Sequence, residues 1–463
     1  MFIRPYLPSS TSGAKELFCM MNIRIDKFQR VIQYFWDPPV KNDEPKSSIW
    51  CLGAEYSFKP TELEIKSSDE YDSVNASSTD SVPVLLTALS PTSADTITQH
   101  ESDSDSSEAA VEVQKDTSTQ MDDDGWPHAF LDDFDAKFWM TYRSAFPPIP
   151  LSTTSRNMTL ATRIRSLADQ EGFTSDTGWG CMIRSGQCVL ANAISLLKLG
   201  RDWRRGKSPQ EEQRILSLFA DDPRAPFSLH NFVKYGEASC GVYPGEWFGP
   251  SATARCIQAL AGQHDEGLQV YITGDGGDVY EDAFRKIAIS DDGLFRPTLV
   301  LVGIRLGIER VTPVYWEALK SSLMMPQSVG IAGGRPSASH YFIGVQGQSL
   351  FYLDPHNTRP LLPYRKDSGY TTEEIELCHT RKLRRLHLRE MDPSMLLAFL
   401  IRDDRDWQAW KQGVKEVHGK RVVHVSDTTP GMGNPPGMRE DAVDDVETFD
   451  DDSDAEGEEL GTS

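Results

Sequence analysis

Thr177-Gly-Trp-Gly-Cys-Met-Ile-Arg-Ser-Gly-Gln187 sets one cysteine between a glycine-bounded turn and the start of a helix. Downstream, Ile183, Val189, Leu190, Ile194 and Leu197 fall at helical spacing, which predicts a buried helix over Met182–Leu199. A cysteine in the first turn of a helix meets the partial positive charge of unpaired amide groups, and this favours the thiolate. Gly178 and Gly180 permit a tight turn and a close substrate backbone. Trp179 would wall such a site. The competing reading is a small buried hydrophobe behind a glycine turn.

The remaining composition narrows the classes. The 463-residue chain holds ten Trp, twenty Phe and fourteen Tyr, enough for a large core. Residues 54–125 contain 17 acids and 3 bases, and residues 440–463 contain 12 acids and no base. These segments carry −26 of a net −22, so the rest sums to +4. Acidic tracts repel phosphate backbones, which argues against a nucleic-acid partner. The seven cysteines are odd in number and form no Cys-x-x-Cys pair, as expected for free thiols in a reducing compartment. No metal-ligand spacing, bilayer-length apolar run or signal-peptide core is visible. A cytosolic protein, or one shared with the nucleus, is expected.

The pass along the chain gives an unstructured 1–20, with an alternative start at Met21. A helix follows over 26–36, then a short strand or turn at Ser48–Gly53. Residues 54–125 read as a disordered acidic, serine-rich insertion. A helical stripe runs from Phe130 to Arg143, with further helices at 209–220, 251–262 and 314–322. Strands are expected at 268–273 and 297–304, and a hairpin over 340–346 and 349–354. Asp392-Pro393 reads as the start of a last helix reaching about Trp410. Residues 425–463 read as a disordered acidic tail. The domain would comprise 21–53 and 126–424. Helices first and strands later predict an α+β core.

A thiolate nucleophile needs a base, and the base an orienter. His356 lies in Leu353-Asp-Pro-His-Asn-Thr358, where Asp354, two residues earlier, shares its face of an extended chain. Pro355 excludes helix between them. His340 could instead act with Asn357, in the order seen in papain. Asp-Pro-His is also a common turn opening.

These stretches together resemble a known family. Thr177–Gln187, Ala338-Ser-His-Tyr-Phe-Ile-Gly344 and Tyr352-Leu-Asp-Pro-His356 are similar to motifs of the autophagy-related cysteine endopeptidases, peptidase family C54. Thr141-Tyr-Arg143 with Phe146-Pro-Pro-Ile149, and Gly245-Glu-Trp-Phe-Gly-Pro250, add to the set. The resemblance covers about 26–415 apart from the insertion. It implies a papain-like fold with an antiparallel sheet, no cofactor and no metal. It makes Cys181 the nucleophile, His356 the base and Asp354 its orienter, with His340 beside the site and Tyr142 an oxyanion donor.

By the same resemblance, Trp179, Trp247, Gly333, Gly334 and Pro336 would line or cover a narrow channel, the last three in a flexible loop at 333–337. The implied partner is the ubiquitin-like autophagy modifier, cleaved after a Gly and released from phosphatidylethanolamine. Contact with autophagic membranes would be peripheral, through the substrate, at the pre-autophagosomal structure. Ser68–Val74 matches an aromatic-x-x-aliphatic modifier-binding pattern, with Tyr71 and Val74 as anchors. Two other classes compete: a pseudopeptidase that only binds the modifier, and a thiol acyltransferase on the same fold. The intact set of three residues argues against the first. The order Asp before His argues against the second.

Overall fold

The computed structural model describes residues 39–57, 121–122, 124–152, 158, 162–163, 172–274, 276–335 and 338–430. The predicted 26–36 helix, Tyr71, Val74 and Pro336 lie outside them. In chain order, the strands β1 (Ile49–Cys51) and β2 (Ala54–Tyr56) precede helix α1 (His128–Asp135). Then come β3 (Arg143–Ile149), β4 (Phe173–Ser175), α2 (Cys181–Lys198), α3 (Pro209–Leu218), α4 (Leu229–Tyr235) and α5 (Pro250–Gln263). Next are β5 (Gln269–Ile272), β6 (Asp278–Tyr280), α6 (Glu281–Ala288), β7 (Thr298–Arg305), α7 (Trp316–Met324), β8 (Ser328–Arg335), β9 (Ala338–Gln346) and β10 (Ser349–Leu353). The last are β11 (Arg359–Pro360), α8 (Thr372–Glu376), β12 (Arg385–His387), β13 (Ser394–Ile401), α9 (Asp404–Lys415) and β14 (His424–Ser426).

The central sheet runs β12-β10-β9-β8-β13-β7-β5, with β1 on β9 and β2 on β1. Its neighbours are antiparallel except β5 and β7. The expected α+β class holds. Two cores lie on its two faces, and the strands divide their side chains between them at period two. In β13, Leu396, Ala398 and Leu400 enter the core shared with α2 and α5. Met395, Leu397, Phe399 and Ile401 enter the opposite core with Trp407 and Trp410 of α9. There Phe284 of α6 stacks on Trp407 with ring centroids 3.9 Å apart.

This double burial corrects the predicted Asp392–Trp410 helix. Ser394–Ile401 is apolar at nearly every position because both faces are covered, so it forms an interior strand between β7 and β8. The helix begins only at Asp404, where the Asp403 carboxylate accepts from Asp406 N at 2.7 Å. The stripe from Phe130 is also only partly helical. From Phe138 on the backbone N–H groups bond elsewhere: Phe138 to Asn192 Oδ1, Trp139 to Cys378 O and Tyr142 to Pro355 O. Residues 54–56 pair with β1, and His424–Ser426 pairs with β6, so order extends into both predicted disordered segments. Gly333 and Gly334 belong to β8, paired with His340 and Ser339, rather than to a loop. Among the described residues no helix is long and apolar enough to cross a membrane.

Leu397→Ala would open a cavity between β13 and the α9 tryptophans. It is expected to cost about 2–5 kcal/mol in urea unfolding. An exposed position such as Glu317 should change little when replaced by Ala, and serves as the control in the same experiment.

Candidate active site

Cys181 is the first residue of α2, after the turn Asp176–Gly180. Gly178 sits at φ 90°, in the region that favours glycine. A Cβ at Gly180 would fall 2.5 Å from an Asp176 carboxylate oxygen. Both glycines are thus required by the turn that aims the helix start. Asp176 accepts from Arg143 N at 2.6 Å and from Arg184 Nε at 2.7 Å. Arg184 reaches Asp221 at 2.8 Å, and Asp221 accepts from Leu362 N at 2.7 Å. The polar residues of the opening stretch therefore build a buried brace behind the cysteine.

β10 ends at Leu353 and delivers Asp354-Pro355-His356 to the same place. The Asp354 carboxylate accepts from His356 N at 3.0 Å and pairs with His356 Nδ1 at 2.6 Å. Trp139 Nε1 donates to Asp354 O at 2.8 Å. Tyr142 bonds through its main chain to Pro355 O and Arg359 N, and its ring meets the His356 ring edge-on at 5.4 Å. The other ring nitrogen of His356 is buried, and the ring interacts with the Cys181 sulfur.

The electrostatics single out this cysteine. Burial pushes the Cys51 and Cys188 thiols up to about 12, and it also raises Cys256 and Cys378. Burial acts on Cys181 too, with 1% of its surface exposed. His356, the Ser339 main chain and the Tyr142 hydroxyl outweigh it and hold this thiol below its ordinary value. His356 loses from burial but gains more from Asp354 and the Cys181 sulfur, and it rises to about 9. Burial opposes ionisation of Asp354, yet His356 and His340 keep its acid well below the usual carboxylate range. A thiolate–imidazolium pair can persist between these limits.

A model of the peptidase C54 catalytic domain matches residues 127–413. The chain belongs to the C54 cysteine peptidases. A probable cysteine protease atg4 of Sclerotinia sclerotiorum is 56% identical over 442 residues, covering 94% of this chain and 99% of the relative. The cysteine protease ATG4 of Pyricularia oryzae is 49% identical, covering 92% and 95%. The cysteine protease atg4 of Emericella nidulans is 50% identical, covering 91% and 96%. The fold of this C54 peptidase is accordingly papain-like.

The other expected site residues divide. Trp247, 45% exposed, lines a small cleft with Pro250, Gly333, Gly334, Ser339, Asp392, Ser394 and Met182, the residue after Cys181. Trp179 is only 2% exposed, packs on Phe173 and donates its indole N–H to Ser175 O. It supports the turn from behind and does not line the cleft. Cys188 is a packed thiol whose sulfur accepts from Met140 N at 3.1 Å. His340 lies beside the site, 3.7 Å from Asp354. The donor atoms of His340, Asp354 and His356 lie within 4.8 Å of one another, a set that could hold a metal ion. At 2.6 Å, however, Asp354 and His356 already share a proton.

Sequence reasoning missed Trp139, Arg384 and the Asp176–Arg184–Asp221 brace. The signal for the brace was present: a charge four residues into an otherwise apolar helix must find a partner.

Alkylation of Cys181 by iodoacetate, whose carboxylate is drawn to the His356 imidazolium, should follow a bell against pH, with its alkaline limb near pH 9, where His356 loses its proton. In His356→Ala that limb disappears and the acid limb moves to higher pH, because the group holding the thiol down is gone. Mass-spectrometric mapping of the labelled peptide reads both. Arg184→Ala leaves two buried carboxylates uncompensated and should cost about 3–5 kcal/mol in denaturant unfolding.

Proposed function

We propose that this C54 peptidase cleaves a ubiquitin-like autophagy modifier after its C-terminal Gly, and that the same site releases the modifier from phosphatidylethanolamine. The observation that carries the reading is the lowered thiol of Cys181 at a helix start, beside the Asp354–His356 pair. Cys181 attacks the Gly carbonyl, and the developing oxyanion takes hydrogen bonds from the Tyr142 hydroxyl and the Cys181 N–H. As the C–N bond breaks, His356 gives its proton to the leaving amine. Water, deprotonated by His356, then attacks the thioester and frees the Gly carboxylate. Asp354 holds the imidazole throughout.

A Gly–ethanolamine bond is also an amide with Gly as acyl donor, so the same steps cleave it. The cleft of Trp247, Gly333 and Gly334 leaves room for a chain without a side chain at the scissile residue. Past Ser394 it adjoins Arg305, which donates to Ser394 Oγ at 2.9 Å, and then Ile308, 85% exposed. That apolar side chain is available to the folded body of a modifier. In this reading the peptidase works in the cytoplasm and nucleus and at the pre-autophagosomal structure, meeting membranes through its substrate.

The test follows intact mass of a modifier carrying a C-terminal extension, and flotation of vesicles bearing the phosphatidylethanolamine conjugate. Wild type should remove the residues after Gly and release the modifier from vesicles, while Cys181→Ala does neither. Tight binding by wild type without either product would replace this reading with that of a binder. Tyr142→Phe should lower kcat about 10²-fold with little change in KM. Trp247→Ala should lower kcat/KM and admit Ala in place of the scissile Gly; full rate with intact Gly selectivity would refute that role.

A further inference from the structure

Asp354 does not face one imidazole alone. Its Oδ1, which pairs with His356 Nδ1 at 2.6 Å, also lies 3.7 Å from His340 Nε2. The two rings are 5.1 Å apart. Its Oδ2 lies 3.7 Å from the guanidinium Nε of Arg384. His340 comes from β9 and is buried, with Tyr352 of β10 edge-on at 4.5 Å. Across the strand pair, a Cβ at Gly334 would come 2.8 Å from His340 Nδ1 and 2.0 Å from Ala338 O. β8 thus omits a side chain where this ring stands.

We propose that His340 is a positioning residue for the peptidase reaction: it draws Asp354 Oδ1 toward the sheet and so keeps the carboxylate on His356 against the opposing pull of Arg384. The inference rests on the reading of Cys181, His356 and Asp354 as the reacting set. Both bonds from His356 end on Oδ1, so the carboxylate can still rock about that oxygen. Beyond His356, His340 meets the Oδ1 end of the carboxylate and Arg384 the Oδ2 end. Arg384 is itself anchored, its carbonyl accepting from Tyr352 N at 3.1 Å. The other titratable groups around the cluster are Cys181 and Tyr142 beyond His356, Tyr352 beside His340, and Asp392, bonded through its N–H to Gly334 O.

Loss of His340 leaves Arg384 unopposed. The Asp354–His356 bond weakens, His356 holds its proton less firmly, and the alkaline limb of Cys181 reactivity moves down. A less charged imidazole supports the thiolate less, so the acid limb moves up. A purely structural histidine would change stability and leave the bell alone.

The experiment compares wild type, His340→Phe, His340→Gln and His340→Asn in full-length protein. It measures iodoacetate alkylation of Cys181 against pH, kcat and KM on the extended modifier, and Tm. His340→Phe should narrow the bell by about one pH unit in all and lower kcat about tenfold with KM within twofold. His340→Gln, whose amide keeps an N–H within reach of Asp354, should recover most of both. Where the Phe variant does not fold, His340→Asn, shorter by one carbon, serves as the withdrawn group and should narrow the bell where Gln does not. A folded Phe variant with wild-type bell and kcat, or equal behaviour of Asn and Gln, would overturn the inference. His356→Ala in the same assay separates the two readings: an unchanged bell there means the reacting set itself is wrong.

Discussion

A buried guanidinium between two buried carboxylates holds this molecule's working parts in register. Arg184 bonds Asp176 on one side and Asp221 on the other, and all three are buried. Through Asp176 it fixes the turn before Cys181 and the start of β3 at Arg143. Through Asp221 it fixes the chain at Leu362, just past β11. Those are the segments that carry Tyr142, Cys181 and His356. A buried ion set of this kind adds little net stability, because desolvation offsets the attraction. Its effect here is geometric: one set of contacts ties the three segments to one another.

The small sheet β11-β3-β4 continues the same work. β3 follows Tyr142 directly and pairs in parallel with β11, which follows His356 closely. The loops bearing the hydroxyl and the imidazole are therefore bonded to each other, Pro355 O to Tyr142 N and Tyr142 O to Arg359 N. Trp139 adds a third tie at Asp354 O. The site is thus assembled from loops, but each is bonded on both sides as firmly as a strand. That rigidity holds the 2.6 Å Asp354–His356 pair in place, so that against burial Asp354 and the Cys181 sulfur together raise the proton affinity of His356.

What could be read in the sequence was what is local. The helix of Cys181, the Asp354–His356 pair and the hairpin of β9 and β10 all announce themselves within a few residues, by period or by spacing. What escaped depends on distant covering. β13 is apolar on both sides because α9, next in the chain, folds back over one face while α5, more than a hundred residues earlier, covers the other. Residues 138–142 continue a helical pattern of apolar residues, yet the N–H groups of Phe138, Trp139, Met140 and Tyr142 are claimed by Asn192, Cys378, Cys188 and Pro355. Trp179 sits inside the most telling motif and points into the core. A motif names the residues of a site without saying which of them face the substrate.

Burial and reactivity at Cys181 are two results of one arrangement. A thiol this enclosed would ordinarily be inert, as Cys188 seven residues along the same helix is. The imidazolium and donors that make it reactive are the groups that enclose it, so exposing the sulfur would also weaken its activation. The cleft lined by Trp247, Gly333 and Gly334 also takes in Met182, the residue after Cys181, so under the proposed function the same packing that encloses the sulfur would disfavour a side chain on the acyl residue.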